Sequence, residues 1–197
     1  YIVPEPYASM FGPDDVSPAN RSEAERENAH PIFAEFLNRR VSRTFCRDEV
    51  RAKVIPAYMG LIKQIDDQMG RLFKHLENRG IADETMVVFT SDHGDYLGDH
   101  WMGEKDLFHE EALRVPLIIH DPSSEADVTR GTVNADLVEA IDLARTFLEL
   151  YGGAAVPHVM DGHSLIDTLT GTRTQDPRRY VISEYDYSFI EPRITLD

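Results

Sequence analysis

From Asp48 onward the chain alternates polar stretches with apolar residues at helical spacing. Val50, Val54, Tyr58, Leu61, Ile65, Met69, Leu72 and Leu76 recur at intervals of three and four, which draws one apolar stripe along a helix. Pro56 interrupts that stripe and predicts a kink or break, with the proline in the first turn of the second piece. Gly80 is placed to stop the helix. Residues 85–91 follow as a short run of strand formers, and residues 115–120 as a second, with Pro116 near its start where a lost donor is tolerated. Continuous apolar runs of this length read as buried parallel strands. Between them, residues 94–113 are polar and turn-rich, a loop of about 20 residues, a length that in a compact domain is usually functional or disordered. Asn134 is placed to cap a helix over 135–151 with Leu137, Ile141, Ala144, Phe147 and Leu148 inward and Gly152-Gly153 ending it. The turn at Asp161-Gly162 leads to a short helix near 164–169, and residues 180–185 read as a further strand. Upstream, Pro4, Pro6, Gly12, Pro13 and Pro18 make 1–19 an irregular arm. A weaker helical pattern through Ile32, Phe33, Phe36 and Leu37 starts at Pro31. A helix leading into a buried strand is half of a βαβ unit, so the pattern predicts an α/β fold with a mainly parallel sheet flanked by helices.

Composition narrows the functions open to such a fold. At 197 residues and 42% hydrophobic content the chain can bury a sizeable core, as one domain or as a large part of a bigger one. A net charge of −15 and a pI near 4.8 argue against a nucleic-acid surface, which needs clustered Lys and Arg. The single cysteine, Cys46, excludes an internal disulfide and a Cys-rich zinc site. It lies near a helix start, as a nucleophile would, but nothing around it resembles an active site, so packing is its expected role. No apolar run approaches the roughly 18 residues of a membrane span. The chain opens at Tyr1 directly into Ile2-Val3-Pro4-Glu5-Pro6, which suggests a piece of a longer polypeptide.

Chemistry concentrates where the first strand ends. Within one residue the strand gives way to Asp92-His93-Gly94, and α/β sheets place ligand sites just beyond the carboxyl ends of their strands. One hard oxygen and one borderline nitrogen suit Mn²⁺ or Zn²⁺, and Ca²⁺ less naturally. Two ligands do not complete a metal site; at least two more must come from distant sequence. Lys105, thirteen residues past Asp92, can return over the site as a cation that stabilises an anionic group or protonates a leaving oxygen. His100 and His109 are candidates for orienting a ligand or for acid catalysis at the leaving group. Glu110-Glu111 reads as a solvated helix start. His158 and His163 show no ligand spacing.

These residues resemble the sulfatases of the alkaline phosphatase superfamily. Phe89-Thr90-Ser91-Asp92-His93-Gly94, Leu97-Gly98-Asp99-His100, Lys105 and Arg114-Val115-Pro116-Leu117-Ile118 are similar to that family's second metal-binding segment. Tyr58-Met59-Gly60-Leu61, Ile65-Asp66 and Gly70-Arg71-Leu72 are similar to the helix before it. Asp142 to Leu148 and Asp161 to Leu165 are similar to the helix and turn after it. Within the family, the opening arm and residues 180–187 look closest to the phosphonate monoester hydrolases and related arylsulfatases. The resemblance implies an alkaline phosphatase-like fold and a catalytic domain of which 1–197 is part, with 1–45 an arm and weak helix. It implies hydrolysis of small-molecule phosphonate, phosphate or sulfate esters. Asp92 and His93 become metal ligands, and Lys105 contacts the transferred group or leaving oxygen. Sulfatases often have Asn at the place of His93 together with Ca²⁺, so the histidine leans toward Mn²⁺ ahead of Ca²⁺ or Zn²⁺. The family nucleophile, a formylglycine made from the Cys or Ser of a Cys/Ser-x-Pro-x-Arg motif, has no counterpart here, since Cys46 precedes Arg47-Asp48-Glu49-Val50. The nucleophile and the other metal ligands are therefore expected upstream, and the isolated segment is expected to be inactive. No membrane or nucleic-acid partner is implied, the bacterial character of the likeness favours the cytoplasm, and assembly of relatives through C-terminal segments leaves a homo-oligomer open.

Two rivals remain. A two-metal nucleotide pyrophosphatase or phosphodiesterase-like hydrolase needs a further downstream metal histidine, for which His158 and His163 are the candidates and fit poorly. A non-catalytic module could keep the fold without the nucleophile. Sequence upstream of Tyr1 discriminates all three.

Overall fold

The computed structural model describes residues 1–156, 158–174 and 178–186. In chain order the regular elements are α1 (Glu23–Glu27), α2 (Pro31–Asn38), α3 (Arg40–Phe45), α4 (Asp48–Arg79), β1 (Val87–Thr90), α5 (Glu110–Leu113), β2 (Leu117–His120), α6 (Ala140–Leu150) and α7 (Ile166–Leu169), joined by short 3₁₀ turns. They fall into two compact units. One holds Tyr1–His75, His93–Pro116 and the segment from Tyr185; the other holds Leu76–Asp92 and Leu117–Glu184. No helix of the described residues is long and apolar enough to cross a membrane.

In the first unit, α4 runs 32 residues straight through Pro56 without the expected break. A proline deletes one backbone donor, and uninterrupted turns on both sides, with Pro56 itself buried, absorb that loss. The apolar stripe is only partly covered. Its members are half-buried except Ile65 and Leu72, which are 52% and 45% exposed, and the buried residues of the helix, Arg51, Pro56 and Gly60, lie off the stripe. Gly60 faces the arm at 1–19, which packs along the helix. Tyr7 Oη donates to Asp67 (3.0 Å), the Tyr1 ring meets Tyr58 edge-on at 5.5 Å, and a Cβ on Gly60 would lie 2.5 Å from the Tyr7 carbonyl oxygen. The helix stops as expected: Gly80 takes φ +65° and Ile81 N donates to Leu76 O (3.1 Å), which closes the last turn.

The core of this unit is Phe36, Tyr96, Met102 and Ala112, with Ile32, Phe33, Leu37, Leu107 and Tyr185 packed against it. Pro31 opens α2 as expected and aims Phe36 inward. The other three core residues come from 94–113, so the polar loop is an ordered part of the core. Its backbone is unusual. All five non-glycine residues with positive φ among the described residues, Leu97, His100, Trp101, Glu104 and Leu107, lie in it. Left-handed backbone costs an L-residue about 1–2 kcal/mol and persists only where the surroundings fix it.

In the second unit, β1 and β2 pair antiparallel, with Val87 opposite His120 and Thr90 opposite Leu117. For these two strands the expected parallel arrangement is corrected. A parallel pair needs a crossover connection, usually a helix on the sheet face, and the connecting segment holds only a 3₁₀ turn and the four-residue α5. α6 begins at Ala140 rather than 135. Asn134 Oδ1 accepts from Asp136 N (2.7 Å) in a local turn, while Glu139 N donates to Asp142 Oδ2 (2.8 Å) and sets the helix start. Gly153 N donates to Leu148 O (2.8 Å) at its end. The segment 180–185 forms no strand; Ile182 N gives its hydrogen bond to Glu139 Oε1 (3.1 Å) instead of a neighbouring ladder.

Behind α6 sits a buried ion pair. Asp142, 1% exposed, accepts from both terminal nitrogens of Arg178 (2.7 and 2.8 Å) and from His163 N (2.7 Å), and Thr146 Oγ1 accepts from Leu165 N (2.9 Å). Burial pushes the Asp142 carboxyl upward, but the Arg178 guanidinium and the two backbone donors outweigh it and hold it below the usual range. The turn 161–165 is thereby fastened onto α6.

Candidate functional site

β1 ends at Thr90, and Ser91 and Asp92 leave it as exposed residues of the second unit; Ser91 Oγ lies 3.4 Å from Asp92 Oδ1. The chain then enters the first unit at His93. The His93 ring is fixed by its neighbours. Nδ1 lies 2.8 Å from the Gly94 carbonyl oxygen, which can only accept, so Nδ1 carries the proton. Nε2 is left as an acceptor, and Lys105 Nζ donates to it at 2.9 Å. The cation and the imidazole that spacing alone singled out are thus in contact. Gly94 makes the geometry possible: its N–H donates to Ala112 O (2.8 Å), and a Cβ there would lie 1.9 Å from the Glu111 carbonyl oxygen. The two ends of the loop touch at that glycine.

His100 and His109 are stacked on each other, ring centroids 4.2 Å apart and 15° from parallel. His109 Nδ1 meets the hydroxyl of the buried Tyr96 at 3.0 Å. His100 Nε2 meets Glu111 Oε1 at 3.2 Å, and its Nδ1 faces Glu25 Oε1 at 3.5 Å. Asn20 Nδ2 also donates to Glu111 Oε1 (3.1 Å), and His100 N to Asn20 O (2.8 Å), so the cluster ties the segment around α1 to the loop. Burial, then repulsion from His100, lowers the His109 imidazole; burial raises the Tyr96 phenol to about 12. Burial works against the Glu111 carboxylate, yet hydrogen bonds from its own backbone, Asn20 and His100 hold it below the usual range. Glu111 is therefore no solvated helix start.

Trp101 Nε1 donates to Ser22 O (2.7 Å), with the guanidinium groups of Arg21 and Arg26 at 4.2 and 4.6 Å from its ring. Asp106 accepts from Arg39 Nη1 (2.9 Å) and from Tyr185 Oη (2.5 Å). Burial, then the Asp106 carboxylate, keeps the Tyr185 phenol above its usual range and hence a donor. Sequence reading missed Asn20, Glu25, Arg39, Asp106, Glu111 and Tyr185. Asp106 adjoins Lys105, which is the one signal that pointed its way. Cys46 is half-buried with its Sγ 3.5 Å from the Arg43 carbonyl oxygen, as packing requires. His158 and His163 are exposed, and the backbone of His163 is engaged by Asp142.

Solved structures sharing this fold are ester hydrolases. The phosphonate monoester hydrolase of Agrobacterium radiobacter superposes with a TM-score of 0.77 at 29% identity over 89% of this chain and 37% of that one. The phosphonate monoester hydrolase of Silicibacter pomeroyi gives 0.79 at 31% identity over 90% and 36%. In sequence, the multifunctional alkaline phosphatase superfamily protein PehA of Trinickia caryophylli is 32% identical over 95% of this chain and 38% of its own length. An arylsulfatase of Clostridium perfringens is 35% identical over 70% and 28%. The sulfatase family model matches residues 7–154, and the chain belongs to the sulfatase family of the alkaline phosphatase superfamily. It spans between 28% and 38% of the length of these two sequence relatives.

Proposed function

We propose that this chain is part of a metal-dependent hydrolase of small-molecule phosphonate, phosphate or sulfate esters, in which Asp92 and His93 hold a divalent ion and Lys105 faces the transferred group. The observation that carries this reading is the Lys105 Nζ to His93 Nε2 contact. With Nδ1 committed to Gly94 O, Nε2 is the ring atom left to bind a cation; the contact places Lys105 Nζ beside that atom, and a bound ion would take over the lone pair and leave Nζ next to it, facing the transferred group. The donor set fits the ion as part of a ligand set. A carboxylate and a neutral imidazole on consecutive residues suit Mn²⁺ or Zn²⁺, and Ca²⁺ less naturally, and the family resemblance leans toward Mn²⁺. No group of three or more His, Cys, Asp or Glu that could hold a metal occurs among the described residues, so this reading takes the remaining ligands from other sequence.

When bound, such an ion supplies Lewis-acid polarisation of a non-bridging oxygen of the ester. The nucleophile in this reading is a formylglycine contributed by sequence outside 1–197, and the two strands described belong to a larger, mainly parallel sheet. This chain's own part is electrostatic. Hydrolysis adds water across a P–O or S–O bond and leaves negative charge on the departing oxygen. Lys105 Nζ stabilises that charge or delivers the proton. His93, its tautomer fixed, keeps its lone pair directed outward throughout.

Substituting Asp92→Ala in the full-length protein should abolish both retained metal, measured by elemental analysis, and turnover of aryl phosphonate, phosphodiester and sulfate ester probes. Survival of either sinks the assignment. The ratio of rates on the three probes ranks phosphorus against sulfur.

A further inference from the structure

Lys105 is a long, flexible side chain on an exposed stretch of loop, and left to itself it would sample many rotamers. Its neighbour does not share that freedom. Asp106 is gripped at both oxygens, Oδ1 by Tyr185 Oη at 2.5 Å and Oδ2 by Arg39 Nη1 at 2.9 Å. The Asp106 and Arg39 side chains are only 17% and 22% exposed. Both anchors rest on Phe36, which is wholly buried: the Arg39 guanidinium lies 3.8 Å over its ring and Tyr185 meets it edge-on at 5.8 Å. On either side the backbone is left-handed, φ 62° at Glu104 and φ 68° at Leu107. Tyr96 N donates to Glu104 O (3.0 Å) on the near side, and Leu107 packs on the core on the far side. Lys105 and Asp106 are thus a dipeptide between two costly backbone conformations, and the carboxylate ties it to Arg39 and Tyr185.

We propose that Asp106 is the positioning residue for Lys105, with Arg39 and Tyr185 as its anchors. The clamp converts the rigidity of Phe36 and α2 into a fixed place for Lys105 beside His93, whose Nε2 its Nζ contacts in this structure. Both anchors donate to the carboxylate. An asparagine keeps one acceptor oxygen for Arg39 but loses the charge that strengthens that bond, and its NH₂ can meet the Tyr185 hydroxyl only if that hydroxyl turns from donor to acceptor. The anchors also reach the loop from far apart in sequence, Arg39 from 67 residues before Asp106 and Tyr185 from 79 after. Tyr185 thereby bears on the site through Asp106.

This inference rests on the proposed role of Lys105, and the test separates the two. The His93 ring nitrogens are followed by ¹H–¹⁵N spectroscopy in the full-length protein without added metal, for the wild type, Lys105→Ala, Asp106→Asn and Tyr185→Phe. Asp106→Asn and Tyr185→Phe should both move the Nε2 signal toward its position in Lys105→Ala. In turnover, Asp106→Asn should lower kcat roughly 10- to 100-fold with KM little changed, and should add nothing to Lys105→Ala in the double variant. An Nε2 signal unmoved in both variants, or a loss of kcat that multiplies with that of Lys105→Ala, overturns the proposal. Should Asp106→Asn not fold, Tyr185→Phe, which removes a single hydroxyl, decides it. If Lys105→Ala leaves turnover intact while the Nε2 signal shifts as expected, the clamp stands and the catalytic reading of Lys105 falls.

Discussion

Two single residues set the loop's geometry. At Gly94 the constraint is space: the Glu111 carbonyl oxygen sits where a Cβ would go, at 1.9 Å. Gly94→Ala therefore forces the two ends of the loop apart and breaks the Gly94 N to Ala112 O bond. The expected cost is about 1–3 kcal/mol, read as a lower urea midpoint; an unchanged midpoint would falsify the close approach. At His109 the constraint is charge. Burial and the stacked His100 lower its folded pKa, so the unfolded chain binds the proton more readily. Glu25 and Glu111 oppose that shift from their side of the cluster, and Tyr96 closes it. The stability gained by keeping His109 neutral is complete above the unfolded value of about 6.5 and is lost as pH falls from there through the lower folded value. Denaturation midpoints between about pH 7.5 and about pH 5.5 should therefore fall, and His109→Gln should remove part of that fall. An identical pH dependence in the variant would rule His109 out as its source.

At the scale of elements, what could be read from the sequence depended on whether the determining contact was local. The helical conformation of α4, Pro31 at the start of α2 and Gly80 at the stop of α4 are encoded within a turn or two, and they appear as expected, whereas the apolar stripe of α4 is left half-buried to exposed. The existence of β1 and β2 was equally local, but their antiparallel pairing depends on the path of the segment between them, which periodicity does not encode. The start of α6 was misplaced because Asn134 is a good cap by type but spends its oxygen on a local turn. At the site, Asp92, His93 and Lys105 stood out by type and spacing. Glu111 and Asp106 did not, since their partners Asn20, His100, Arg39 and Tyr185 are 11 to 91 residues away. The Arg178 to Asp142 pair is the element-scale contact with the largest expected consequence. Removing the guanidinium strands a carboxylate that is 1% exposed, so Arg178→Met should destabilise by about 3–5 kcal/mol and raise amide exchange along α6 first. The sign with pH follows from the lowered folded pKa. The contribution of Asp142 is full above the unfolded value of about 3.9 and disappears as pH falls through the folded one. Wild-type exchange rates in α6 of the variant would show that the pair is not what fastens the 161–165 turn.

Over the whole molecule, charge is the property that no single contact conveys. The chain carries 35 Asp and Glu against 20 Lys and Arg. Several of its basic groups form short pairs, such as Arg178 with Asp142, Arg39 with Asp106 and Lys63 with Asp67, between 2.7 and 2.9 Å. The net charge of −15 acts over longer distances. Salt distinguishes the two populations. The Debye length falls from about 30 Å at 0.01 M to about 8 Å at 0.15 M, which removes distant repulsion while leaving contacts under 3 Å largely intact. Exposed pairs that do weaken contribute little, about 0–1 kcal/mol each, so they do not offset the relief. The thermal midpoint of the 197-residue chain should accordingly rise between those two ionic strengths. Sodium chloride and potassium chloride should act alike, because screening depends on ionic strength and not on a particular ion. A midpoint that falls with salt would mean that the short pairs, rather than the excess acid, dominate the electrostatics of the fold.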